Sequence, residues 1–132
     1  MPDDNNSKFI LALDDDSDIV TLIKDTLQRQ RFKVSDFTDP LLALEYFNMY
    51  HKGCSLVISD IRMPSMNGYE FIKKVKEIKK EVKVILMTAF EINGKEFHNL
   101  LPSIKVDYFL QKPFSISKLK EIVRSNLQDN NL

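Results

Sequence analysis

Apolar positions along the chain fall into two alternating rhythms. Short, nearly unbroken apolar runs at Phe9–Leu13, Leu56–Ile58, Val82–Met87 and Val106–Leu110 read as strands buried on both faces. Phe32 to Phe37 alternates instead, with one slip, which predicts a more exposed edge strand. Between these runs the apolar residues recur at helical spacing. Ile19, Val20, Ile23 and Leu27 follow a cap at Asp16 or Ser17 and predict a first helix to about Gln30. Asp39-Pro40 opens a second helix with a buried face of Leu41, Leu44 and Phe47. A third helix starts near Gly68 and buries Phe71, Ile72, Val75 and Ile78. A last one buries Ile116, Leu119, Ile122, Val123 and Leu127. Between Phe90 and Lys105 the pattern allows a helix (Glu91, Ile92, Phe97, Leu100, Leu101, Ile104), but Asn93-Gly94 and Pro102 interrupt it, so a short or irregular fourth helix is expected.

Five strands alternating with five helices predict an α/β protein: a doubly wound, parallel five-stranded sheet with helices on both faces. In such folds ligands sit beyond the carboxyl ends of the strands, where the strand order reverses. The polar residues at those ends are therefore the candidates for chemistry. Asp14 and Asp15 end strand one, Asp60 ends strand three, Thr88 ends strand four, and Lys112 follows strand five. With strand order 2-1-3-4-5, all of them meet on one edge. Three carboxylates so placed repel one another unless a cation lies between them. Oxygen-only ligands suit Mg²⁺, with Mn²⁺ as a substitute. A hydroxyl and an ammonium added to this set make a receptacle for a phosphoryl group, and a carboxylate can itself be the nucleophile, giving an aspartyl phosphate.

Composition narrows the partners. The chain of 132 residues is long enough for one domain with a core, and its 19 Lys and Arg balance 19 Asp and Glu, so no overall field favours nucleic acid or an anionic membrane. The single Cys54 excludes an internal disulfide and fits a reducing compartment; it reads as a small apolar residue near a strand start. The first residues are polar and acidic, unlike a signal peptide, and no apolar run approaches the roughly 20 residues that cross a bilayer. A cytoplasmic location is expected. Lys73, Lys74, Lys76, Lys79 and Lys80 form a basic face on helix three, read as solvated. His51 and His98 read as surface residues.

The set Asp14-Asp15, Asp60 before Met63-Pro64 and Asn67-Gly68, Thr88-Ala89, and Lys112-Pro113-Phe114 resembles the receiver domain of two-component response regulators. The resemblance spans about residues 8 to 127, leaving 1–7 and 128–132 as tails. It implies a flavodoxin-like (βα)5 fold and assigns roles. Asp60 would be the phosphoacceptor, served by a sensor histidine kinase or a phosphotransfer protein. Asp15, Asp60 and the backbone carbonyl of Arg62 would bind Mg²⁺, with Asp14 acting through water and the lysine. Thr88 and Lys112 would hold the phosphoryl oxygens, Phe109 would be the aromatic switch, and the Lys112-Pro113 bond would be cis. Output would leave through helix four, strand five and helix five toward a downstream protein or output domain, with phosphorylation-dependent homodimerisation as one route. The chain would be a signalling domain, not a turnover enzyme, either free-standing or part of a longer protein.

The span between Thr88 and Phe109 departs from the family pattern, with Ser103-Ile104-Lys105-Val106 where small residues are usual. Arg62 and Phe90, each two places beyond a site residue, occupy positions that tune phosphate hydrolysis in this family, and a bulky Phe90 would lengthen the phosphorylated state. Two alternatives compete: a phosphorylation-independent pseudo-receiver, and a small haloacid dehalogenase-like phosphatase with Asp14 as nucleophile and Asp16 as acid. The second is weakened by Asp18, which stands where Thr or Val is expected, and by the absence of room for a cap domain. Asp14, Asp16 and Asp18 also mimic the start of a calcium loop, without its glycine or closing Glu.

Overall fold

The computed structural model describes residues 8–89 and 105–127. The expectations for Phe90, for His98 and for a fourth helix between residues 90 and 104 lie outside the described residues. Strands β1 (Phe9–Leu13), β2 (Val34–Phe37), β3 (Cys54–Asp60), β4 (Lys83–Thr88) and β5 (Tyr108–Gln111) form one sheet in the order β2-β1-β3-β4-β5, and each neighbouring pair is parallel. Helices α1 (Ser17–Arg29), α2 (Pro40–Tyr50) and α3 (Gly68–Ile78) follow the first three strands, and a C-terminal helix (Ile116–Leu127) follows β5. The expected fold class and strand order are observed.

Period-two alternation along the strands divides the core. Leu11, Leu13, Val57, Val84 and Leu86 face α2 and α3, meeting Phe47, Phe71 and Val75. Ile10, Ala12, Ile58, Ile85 and Met87 face α1 and the C-terminal helix, meeting Ile23, Leu27 and Leu119. β1 lies inside the sheet and is buried along its whole length, whereas β2 stands at the edge with no fully buried residue.

Several boundaries differ from the sequence pattern for local reasons. β2 begins at Val34 because Phe32 belongs to the stop of α1, its N–H bonding back to the Leu27 carbonyl at 3.1 Å. β5 begins at Tyr108 because the Asp107 carboxylate takes the Val84 N–H at 2.8 Å while Asp107 N–H returns to the Val84 carbonyl. Leu41 and Ile116 carry helical spacing but are 55% and 47% exposed. Pro40, Ala43 and Phe47 form the buried stripe of α2 instead.

The basic face of α3 is solvated only in part. Lys73, Lys74 and Lys80 are exposed, but Lys76 and Lys79 are half-buried. The Lys79 ammonium donates to the carbonyls of Cys54, His51 and Lys52 at 2.7, 3.1 and 3.3 Å, and Lys76 donates to Val82 and Lys80 at 2.6 and 3.3 Å. Burial lowers the Lys76 pKa. These ammonium groups cap backbone carbonyls near the starts of β3 and β4. Cys54 is buried, and loss of solvation pushes its thiol up to about 12, which keeps it unreactive.

Removing one such clasp leaves several carbonyls under-satisfied, so Lys79→Met costs about 1–3 kcal/mol of stability in urea unfolding, while Lys73→Met changes it by less than about 0.5 kcal/mol. At the end of α1, Arg31 holds a left-handed backbone (φ 73°) in the position that favours glycine after a helix. Arg31→Gly is therefore expected to raise stability by a few tenths to about 1 kcal/mol by the same measurement.

Candidate functional site

The carboxyl ends of β1, β3, β4 and the chain just past β5 bring the polar residues together. Leu13 pairs with Ser59, Asp60 with Met87, and Thr88 with Gln111, so Asp14, Asp60, Thr88 and Lys112 line one rim. Asp14 is fully buried, Asp60 nearly so at 7% exposed, Thr88 is buried, and Asp15 is exposed. The Lys112 ammonium lies 2.8 Å from Asp14 Oδ2 and 3.2 Å from Asp60 Oδ1. Lys112 is held there by its backbone N–H, which bonds to the Thr88 carbonyl at 2.6 Å, and the Lys112–Pro113 peptide that follows is cis.

Each loop has its own local logic. Asp14 Oδ1 accepts the Asp16 N–H at 2.9 Å, which turns the chain off the strand, and Asp16 in turn caps α1 through the Asp18 N–H. Asp16 and Asp18 are thereby committed to the helix start and stand outside the carboxylate cluster. Beyond β3, Asn67 and Glu70 form a reciprocal capping box that starts α3. Gly68 is required by proximity: a Cβ there would overlap the Asp60 carbonyl oxygen and come within 2.8 Å of Ile61 Cα. The sequence marks Gly68 only as the start of the third helix, since proximity of this kind has no local signature.

Asp14, Asp15 and Asp60 each offer a carboxylate oxygen within 4.8 Å of the others. Loss of solvation raises the Asp60 pKa to about 6, the neighbouring Asp14 charge adds to it, and Lys112 opposes both. Asp14 is raised too, by burial first, with Lys112 pulling the other way. Burial depresses the Lys112 ammonium, but its bonds to Asp14 and Asp60 outweigh that and raise its pKa. One ammonium therefore falls short of the negative charge gathered here. An all-oxygen set with surplus negative charge fits a hard divalent cation such as Mg²⁺, which keeps several waters. Beside it lies an open cavity lined by Asp15, Arg62, Met63, Pro64 and Asn67.

Thr88 and Phe109 share a sheet face, because Leu86, two residues before Thr88, pairs with Phe109. Phe109 is half-buried against the α2/α3 side of the core. His51 is set apart, in a short 3-10 turn (His51–Gly53) with its ring beside Phe47 and its Nδ1 3.2 Å from the Asn48 carbonyl. Among the described residues, no helix is long and apolar enough to cross a membrane.

The raised Asp60 pKa has a stability consequence. With the folded value above the unfolded one, ionising Asp60 costs folding free energy as pH rises from about 4 to about 6, and the cost persists above that. Asp60→Asn should raise the stability of the metal-free protein at pH 7 by on the order of 2 kcal/mol, a gain that fades below pH 6 and is lost near pH 4. Thermal unfolding across that range, in the presence of a chelator, checks it.

Comparison with known proteins points one way. The model of the response regulator receiver domain matches residues 10–124. The chain is 30% identical over 127 residues to a transcriptional regulatory protein, a CpxR homolog of Haemophilus influenzae, covering 92% of this chain and 53% of that protein. It is 27% identical over 110 residues to the response regulator SaeR of Staphylococcus aureus, covering 83% and 46%. The chain thus spans about half the length of these curated relatives. Among solved structures, the chemotaxis protein CheY4 of Vibrio cholerae superposes with a TM-score of 0.82 at 26% identity, covering 92% of this chain and 99% of that one. The BeF3-activated receiver domain of DrrB superposes at 0.79 and 26% identity, covering 92% and 98%.

Proposed function

Because this chain belongs to the response regulator receiver domain family of two-component systems, we propose that it is a phosphoacceptor and that Asp60 carries the phosphoryl group. The observation that supports this most is the Lys112 ammonium bridging Asp14 and Asp60 beside the three-carboxylate cluster. An Asp60 oxygen attacks the phosphorus of a phosphohistidine on a sensor kinase or phosphotransfer protein. The P–N bond breaks, the imidazole leaves with the electron pair, and an acyl phosphate remains. A bound Mg²⁺ would neutralise charge on the phosphoryl oxygens. Asp15, Asp60 and the Arg62 carbonyl would hold it, consistent with Asp15 being exposed at the rim. Both Asp14 oxygens already accept hydrogen bonds, from Asp16 N–H and Lys112, which fits an indirect role for Asp14.

Lys112 and the Thr88 hydroxyl receive the new oxygens. Drawing Thr88 toward them alters the space on the face it shares with Phe109, and Phe109 answers by turning inward. Among the described residues, the altered surface comprises β5 and the C-terminal helix. It controls a partner protein or an output domain, with pairing of two phosphorylated copies as one means. The domain's limits are residues 8–127, with tails at 1–7 and 128–132, and the reading places it in the cytoplasm.

Acetyl phosphate with Mg²⁺ provides the test. Labelled phosphate should enter the parent chain, and chelation should abolish uptake. Lys112→Ala should slow uptake by about 100-fold or more, the scale of removing one preorganised donor, and Asp60→Asn should take none. Labelling that persists in Asp60→Asn overturns the assignment. A parent chain that takes no label, yet still binds a partner, favours a phosphorylation-independent binding module.

A further inference from the structure

The backbone carbonyl of Asp60 is where the end of the sheet and the start of α3 meet. The last β1–β3 pair is Leu13 with Ser59, so Asp60 stands one residue beyond the reach of β1. A buried carbonyl left without a partner costs about 1–3 kcal/mol. Ser59 is fully buried, and its hydroxyl donates to that carbonyl at 2.9 Å. From the other side Gly68 closes on the same oxygen, near enough that no Cβ fits, and its N–H donates to the Ile61 carbonyl at 2.6 Å. Ile61 N–H is tied to the Met87 carbonyl at 3.1 Å. The two peptide groups that follow the Asp60 side chain are thus pinned from the strand side and from the helix side.

Packing alone does not call for a hydroxyl at this position. Ser59 alternates with Val57 on the α2/α3 face, where its cross-strand partners are Leu13 and Leu86, and burying a hydroxyl there is unfavourable unless it meets a specific acceptor. Its acceptor is the backbone of the neighbouring phosphoacceptor residue. We propose that Ser59 is a positioning residue: by holding the Asp60 carbonyl it fixes the Asp60–Ile61 peptide plane, and with it the aim of the Asp60 carboxylate and of the chain leading to the Arg62 carbonyl. This inference rests on the phosphoacceptor reading and extends it to a residue outside the cluster that acts through the backbone.

The test uses the full chain, Mg²⁺ titrations followed by amide NMR shifts, and hydrogen exchange of the Gly68 amide. Ser59→Ala, while still folded, should bind Mg²⁺ about 10-fold more weakly, as when a partner that orients a ligand is lost, and its Gly68 amide should exchange faster. Ser59→Thr, which restores the hydroxyl, should return Mg²⁺ affinity toward the parent value. A melting temperature that falls in Ser59→Ala while Mg²⁺ affinity and Gly68 exchange stay at parent values would make Ser59 a packing residue and overturn the proposal. So would a folded Ser59→Thr as weak as Ser59→Ala. If the parent itself neither binds Mg²⁺ nor takes phosphate, the phosphoacceptor reading falls and this inference with it; if the parent does both and Ser59→Ala matches it, this inference falls alone.

Discussion

The contact on which this molecule turns is the ion pair between Lys112 and two buried carboxylates, Asp14 and Asp60. Neither carboxylate has enough solvent to be comfortable as an anion; the Asp14 charge raises the cost of ionising Asp60, and Asp15 raises that of Asp14. A single ammonium offsets part of that cost. The result is a pocket with unspent negative charge held rigidly at the end of an apolar sheet. Such a pocket is attractive to a divalent cation, and, once the cation is in place, to the oxygens of a phosphoryl group. A divalent cation bound there would relieve the carboxylate repulsion of the metal-free protein.

The rest of the fold keeps that arrangement rigid. Buried apolar residues on both faces of β1, β3 and β4 fix the register of the strands, and register decides which side chains emerge at the rim. The loops then turn away by short-range means: the Asp14–Asp16 turn, the capping box of α3, and the glycine that lets α3 approach Asp60. Lys112 is placed by its own backbone bond to Thr88, so the hydroxyl-bearing strand end and the ammonium are built as one unit.

What the sequence disclosed and what it withheld follow physical lines. Uninterrupted apolar runs ending in Asp, Thr or Lys are local patterns, and together they disclosed the sheet and the residues gathered on its rim. The exposure of Leu41 and Ile116 was hidden because helical spacing indicates a face but not how far the sheet extends beneath it. Lys76 and Lys79 read as solvated because a charge pattern cannot show that an ammonium reaches backbone carbonyls 25 residues away in the chain, as Lys79 reaches Cys54. Gly68 and Ser59 were obscure for a related reason: their roles depend on one carbonyl oxygen that only the closed structure brings to them.

The ammonium and the carboxylate that it neutralises most closely, Lys112 and Asp14, are separated by 98 positions. Joining them requires the intervening strands to be laid side by side, so this contact comes late and at high entropic cost in the assembly of the chain. During synthesis the aspartates leave the ribosome long before their counter-ion does. Until then β1 and β3 can bring the carboxylates to one rim, but without the ammonium that offsets part of their charge. On the phosphoacceptor reading, competence for phosphorylation is thereby tied to completion of the fold, and a copy lacking β5 and Lys112 would be silent.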